Sequence, residues 1–201
     1  MTTVTGQAGR RGLAFATPGD WFAVRLPHGR PDVGRMAGEV IAAKPGLPIS
    51  RDVLVSMLGQ LAQASAALND AGAYATILDV PGAPLPATLL VSVRGLGGLT
   101  LDEIAAEMST ADGALAPPTA KMFDLPAGRT VRIERFRERP GTGEGPRPVS
   151  FTVQYATVAP GGGQAVLLMF STPAVALAEQ LRPLFHQIAC TLRFEGQEPQ
   201  R

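Results

Sequence analysis

Hydrophobic and polar positions alternate most regularly near the carboxyl end of the chain. From Val149 to Thr157, the residues Val149, Phe151, Val153 and Tyr155 alternate with Ser150, Thr152 and Gln154, the period of a strand with one face in the core and one in water. A Pro160-Gly-Gly-Gly163 turn follows, and then Ala165 to Phe170, apolar on both faces and therefore expected in the middle of its sheet. Thr172 and Pro173 read as the N-cap and first position of a last helix, whose stripe is Val175, Leu177, Leu181, Leu184, Phe185 and Ile188. Pro183 should kink or restart that helix.

The rest of the chain yields the same two periods. Gly12 to Thr17 and Trp21 to Leu26 are short strands around Pro18-Gly-Asp20, and together predict an opening β unit. Val33, Met36, Val40 and Ile41 keep helical spacing between Asp32 and Lys44, although Gly34 and Gly38 each cost about 1 kcal/mol against alanine. A longer helix starts at the N-cap Ser50, with Ile49 and Leu54 as a hydrophobic staple, and carries Leu54, Met57, Leu58, Leu61, Ser65 and Leu68 on one face until Gly72. Tyr74 to Val80 and Ala87 to Arg94 predict an antiparallel strand pair. The Thr100-Leu-Asp-Glu103 capping box starts a short helix to Thr110, and Lys121 to Leu125 and Arg129 to Phe136 are strands split by Pro126-Ala-Gly128. Arg139 to Pro148 is an exposed hairpin loop.

Strands follow one another as hairpins and helices are grouped, which predicts an α+β fold with a mainly antiparallel sheet covered by helices. One domain over residues 12–195 is expected, between a flexible amino terminus at 1–11 and a flexible carboxyl terminus at 196–201. The 201 residues, 45% of them hydrophobic, suffice for one core.

Charge and cysteine content then exclude function classes. With 18 basic against 17 acidic residues the net charge is +1, which argues against nucleic acid as the main ligand. Cys190 is the single cysteine, so no internal disulfide forms. The amino terminus has no apolar signal region and no run approaches a membrane span, so a cytoplasmic location without membrane insertion is expected. The excess of arginine over lysine, with many alanines, glycines and prolines, points to a GC-rich bacterial genome.

Three segments carry a resemblance. Gly12-Leu-Ala-Phe-Ala-Thr-Pro-Gly-Asp-Trp21, Asp124-Leu-Pro-Ala-Gly-Arg-Thr-Val-Arg132 and Leu184-Phe-His-Gln-Ile-Ala-Cys-Thr-Leu-Arg-Phe194 are similar to the PsbP-like superfamily, shared with a Ran-binding nuclear import factor. The chain resembles its actinobacterial LpqN-like branch most. The resemblance implies an α/β/α sandwich and an accessory, non-enzymatic role, and it carries no catalytic residues.

Candidate chemistry is sparse. His186 and Cys190 share one helix face at i and i+4, but His28 is the only other histidine, too few ligands for zinc. Packing is one reading of the pair and a nucleophile the other. Gly95-Leu-Gly-Gly-Leu-Thr100 opens a capped helix and could cradle an anion or serve as a plain turn; no dinucleotide, P-loop or nucleophile-elbow motif occurs. Trp21, Tyr74 and Tyr155 read as core or sheet-face residues in preference to an aromatic cage. Arg129, Arg132, Arg135, Arg137, Arg139 and Arg147 gather on one strand and its loop, among Glu134, Glu138 and Glu144. They are either a solvated face or, for Arg129, Arg132, Arg135, Arg137 and Arg147, a surface for an anionic protein partner. No metal, cofactor or catalytic residue is expected. The expected function is a non-catalytic binding or adaptor module, accessory to a larger bacterial assembly such as a secretion or injection apparatus. The alternative is a small-ligand or lipid carrier with a cavity between the sheet and the Ser50 to Gly72 helix.

Overall fold

The computed structural model describes residues 2–6, 13–24, 32–68, 70–78, 84–110, 114–138 and 148–194. Along them run β1 (Thr2–Gly6), β2 (Leu13–Thr17), β3 (Phe22–Val24), α1 (Val33–Ala43), α2 (Arg51–Leu68), β4 (Asp70–Leu78), β5 (Leu85–Gly95), α3 (Leu101–Ser109), β6 (Thr119–Leu125), β7 (Gly128–Glu138), β8 (Val149–Val158), β9 (Gln164–Thr172), a 3-10 turn (Val175–Leu177), α4 (Ala178–Cys190) and β10 (Arg193–Phe194). Seven strands form one sheet in the order β3-β4-β5-β9-β8-β7-β6, every pair antiparallel. The α+β expectation holds, and β9, apolar on both faces in the sequence, is the fourth of the seven strands. A second sheet has the order β1-β2-β10.

Period-two patterning divides the large sheet into two faces. On one, Leu89, Val91, Phe151, Val153, Tyr155, Leu168 and Phe170 pack against Leu181, Phe185 and Ile188 of α4 and against Leu13 and Phe15 of β2. Rings set this layer: Phe170 stacks on Phe185 at 4.5 Å, and Tyr155 and Trp21 meet Phe170 edge-on. Tyr155, Trp21 and Tyr74 are all buried, as the sequence suggests. On the other face α1 and α2 bury Met36, Leu54, Met57, Leu58 and Leu61 against Ala73, Ala75 and Leu90. Further along that face, Ile104 of α3 packs on Val131, Ile133, Ala156 and Ala165. The covers of this face therefore stand over different strands, α2 over β4 and β5, α3 over β7 and β8.

Local signals account for most boundaries. Ser50 Oγ accepts from the Val53 amide at 3.3 Å, and Thr100 and Glu103 form the expected reciprocal capping box. Five expectations are corrected. Thr2–Gly6, expected in a flexible terminus, is a strand paired with β2; its Thr-Thr-Val-Thr run is β-branched throughout. The opening strands do not pair: β2 joins β1 and β10, while β3 joins β4 in the large sheet. Helix α2 ends at Leu68 and not at Gly72, which lies inside β4 beside a register shift at Asp70/Gly72. Thr172 does not cap α4: it ends β9, where its hydroxyl donates to the Pro86 carbonyl at 2.9 Å and accepts from the Ala174 amide, and α4 runs through Pro183 unbroken. The carboxyl-terminal residues 196–201 and nearly all of the expected 139–148 loop lie outside the described residues.

Candidate ligand-binding cleft

Because α2 and α3 cover different strands, the middle of their shared face is left partly open. A cleft of about 350 Å³ lies there, between α2 and strands β5, β9, β8 and β7. Its wall is the α2 face on which Val53, Met57, Gln60, Leu61 and Ala64 recur at helical spacing. Its floor is built from rungs of the sheet. Leu90 lies opposite Met169, giving an apolar rung, and Ser171 lies opposite both Thr88 and Thr152, giving a rung of hydroxyls. Beyond that rung Ser150 stands opposite Arg137, and Glu138 and Arg137 close the polar end. The Thr88 hydroxyl donates to the Ser171 carbonyl at 3.2 Å and the Thr152 hydroxyl to the Arg135 carbonyl at 3.4 Å. Both hydroxyl oxygens thus keep lone pairs for a ligand donor. The arrangement suits an apolar chain with a polar end, held by burial and oriented by a few hydrogen bonds.

The arginines of the sequence reading do not form one surface. Arg129 is exposed, Arg137 is half-buried at the cleft, and Arg147 lies outside the described residues. Arg132 and Arg135 are only 8% and 4% exposed, so the expected open arginine face is corrected. Alternation along β7 sends them to opposite sides. Arg135 points to the α3 face, where it donates to the Met108 carbonyl at the end of α3 and to Gln154 Oε1 at 2.8 Å. Burial and the nearby Arg137 charge lower its pKa from the usual guanidinium value. Arg132 points to the α4 face. Its Nε lies 2.9 Å from Glu134 Oε1 without its N–H aimed at that oxygen, so the contact is an ion pair and not a hydrogen bond. Glu134 Oε2 accepts from Arg182 Nε of α4 at 2.7 Å, and Arg182 reaches on to Glu179 at 2.5 Å. An Arg-Glu-Arg triad therefore ties β7 to α4.

Beside this triad stand Tyr155 and the two chemical candidates of α4. The Tyr155 phenol is pushed up to about 12 by burial, against the opposing pull of Arg132. Burial lifts the Cys190 thiol, so the His186 and Cys190 pair lacks the lowered thiol pKa of an activated cysteine. His186 packs its ring on Phe123 at 5.2 Å and near Tyr155 at 6.1 Å, and both burial and the Arg132 charge lower its pKa. A lowered imidazole pKa means that the unfolded chain takes up the proton first. His186 thus contributes stability that is full above about pH 6.5 and is lost as pH falls below it. In urea melts between pH 7.5 and 5.0, His186→Gln should flatten this part of the wild-type decline; an unchanged slope would place the proton uptake elsewhere.

Gly97 and Gly98 take positive φ in the turn before α3, as the Gly-rich segment suggests. The helix start they lead to is already occupied: Glu103 Oε2 accepts from both the amide and the hydroxyl of Thr100 at 2.8 Å. Among the described residues no group of three His, Cys, Asp or Glu side chains could hold a metal ion, and no helix is long and apolar enough to cross a membrane. The cleft-floor residues Thr88, Met169 and Ser171 were not singled out in the sequence. Their signal is the polar or soft residue on the second face of strands that otherwise read as doubly buried.

No family model and no curated protein sequence matches the chain. Its structure is similar to the crystal structure of LpqN, involved in cell envelope biogenesis of Mycobacterium tuberculosis, with a TM-score of 0.50 and 11% sequence identity over 96% of this chain and 90% of that one. The chain has an LpqN-like fold.

Proposed function

We propose that this chain is a non-catalytic binding protein that carries a small apolar or amphiphilic ligand, of the size class of a single acyl chain, in the cleft between α2 and the sheet. The observation that carries the reading is the cleft itself: about 350 Å³, within the range of small-molecule sites, apolar at Met57, Leu61, Leu90 and Met169 and hydroxyl-lined at Thr88, Thr152 and Ser171. The fold shared with LpqN, a protein involved in cell envelope biogenesis, supports a role connected with the envelope, and membership of the PsbP-like superfamily rests on the three motifs that carry the resemblance. A cytoplasmic location belongs to the same proposal. An accessory role in a larger bacterial assembly is the second reading, favoured by exposed apolar side chains at the β6 end of the sheet.

Ala64 lines the cleft and is half-buried, so an indole there fills the space without entering the core. Ala64→Trp should weaken binding of a fluorescent dodecyl-chain probe at least tenfold, about 1.4 kcal/mol, with little change in melting temperature. Equal probe affinity for wild type and Ala64→Trp would remove the cleft from the reading.

A further inference from the structure

Strand β6 ends the large sheet. Among the described residues it pairs only with β7, so its outer backbone edge is open over Thr119–Leu125. Such an edge offers amides and carbonyls at strand spacing, a demand that an extended peptide backbone meets. Exposed apolar side chains accompany it. Met122 on β6 is 36% exposed and Leu99, which shares a surface hollow with it, is 44% exposed; Leu115, in the stretch that continues the edge beside Phe136, is 52% exposed.

Charge selects the occupant. Register places Asp124 directly opposite Arg129, a cross-strand pair of exposed residues of opposite sign on the α3 face. Lys121 is exposed on the α4 face, opposite the buried Arg132, and no acidic side chain among the described residues pairs with it. A second copy of the chain does not supply the missing charge. Two β6 strands continuing one sheet antiparallel must pair residues of the same face, which sets Lys121 against Thr119, Lys121, Phe123 or Leu125 of the copy and never against Asp124. Lys121 thus disfavours self-pairing while leaving an opening for a complementary strand.

We propose that the β6 edge is a docking site for an extended segment of another protein in which apolar and acidic residues alternate. Its apolar residues lie over Met122 and Leu99 on the α3 face, and an acidic residue stands opposite Lys121 on the α4 face. The site is independent of the α2 cleft.

The test uses the full chain and two nine-residue peptides, one alternating valine with glutamate and one alternating valine with lysine. Hydrogen exchange should slow at the amides of residues 119–125 on adding the glutamate peptide, which should bind at least tenfold more tightly than the lysine peptide. Lys121→Glu, at an exposed position, should invert that preference. Protection confined to α2 and the cleft, equal affinities for the two peptides, or no binding at millimolar peptide would each overturn the proposal. Concentration-dependent dimerisation abolished by Met122→Asp would overturn it too, by making a second copy the occupant.

Discussion

Leu168→Asp is expected to leave no soluble folded protein. Leu168 is 1% exposed on the central strand β9, with Tyr155 and Val91 opposite it on the neighbouring strands and α4 above. The substitution removes a leucine worth about 2–5 kcal/mol in a core and strands a carboxylate with no cation beside it. The sum is comparable with the whole stability of a domain, about 5–15 kcal/mol. Gln164→Asp, at the exposed start of the same strand, should express and melt like wild type. Far-UV dichroism and yield in the soluble fraction separate the two; a folded Leu168→Asp protein with unchanged melting would show that β9 is not the centre of the sheet.

Glu134→Ala is expected to cost about 3–5 kcal/mol, the range for breaking a buried ion pair by removing one partner. The carboxylate is the single negative member of the triad between Arg132 and Arg182. Its loss leaves Arg132, whose side chain is 10% exposed, as an uncompensated charge under α4. Arg182 keeps Glu179 and more solvent, so most of the cost falls on Arg132. The double variant Arg132→Met, Glu134→Leu removes both charges and should recover most of the lost stability. Urea denaturation of the single and double variants checks this; a single variant within 1 kcal/mol of wild type, a threshold set by exposed pairs, would mean that the triad is solvated.

How legible these features were in the sequence depends on the range of the contacts that make them. The antiparallel sheet and its centre were legible because alternation in Val149–Val158 and the doubly apolar run in β9 are local patterns. The capping box before α3 is likewise local, its two partners three positions apart, and is read directly. The fates of Arg132 and Arg135 were not legible. Six arginines with interleaved glutamates read as a wet strand, and the groups that meet the buried ones are distant in sequence: Arg182 lies 48 residues from Glu134 of the triad and Met108 lies 27 residues from Arg135. The opening strands failed for a related reason. Pro18-Gly-Asp20 signals a turn, and a turn joins a hairpin or two different sheets with the same residues. The cleft was legible in place, between the sheet and α2, because an amphipathic helix beside a sheet marks where a gap can form. Its lining was not, since rungs such as Thr88, Ser171 and Thr152 exist only once three strands are in register.

Backbone NMR of the isotope-labelled protein, titrated with a dodecyl-chain amphiphile below its micelle concentration, decides whether the α2 cleft is a ligand site. Binding in the cleft gives saturable shifts concentrated at Met57, Leu61, Ala64, Leu90, Met169 and Ser171, and their loss in Ala64→Trp. Shifts centred on α4 or β6, or none at saturating probe, would contradict it.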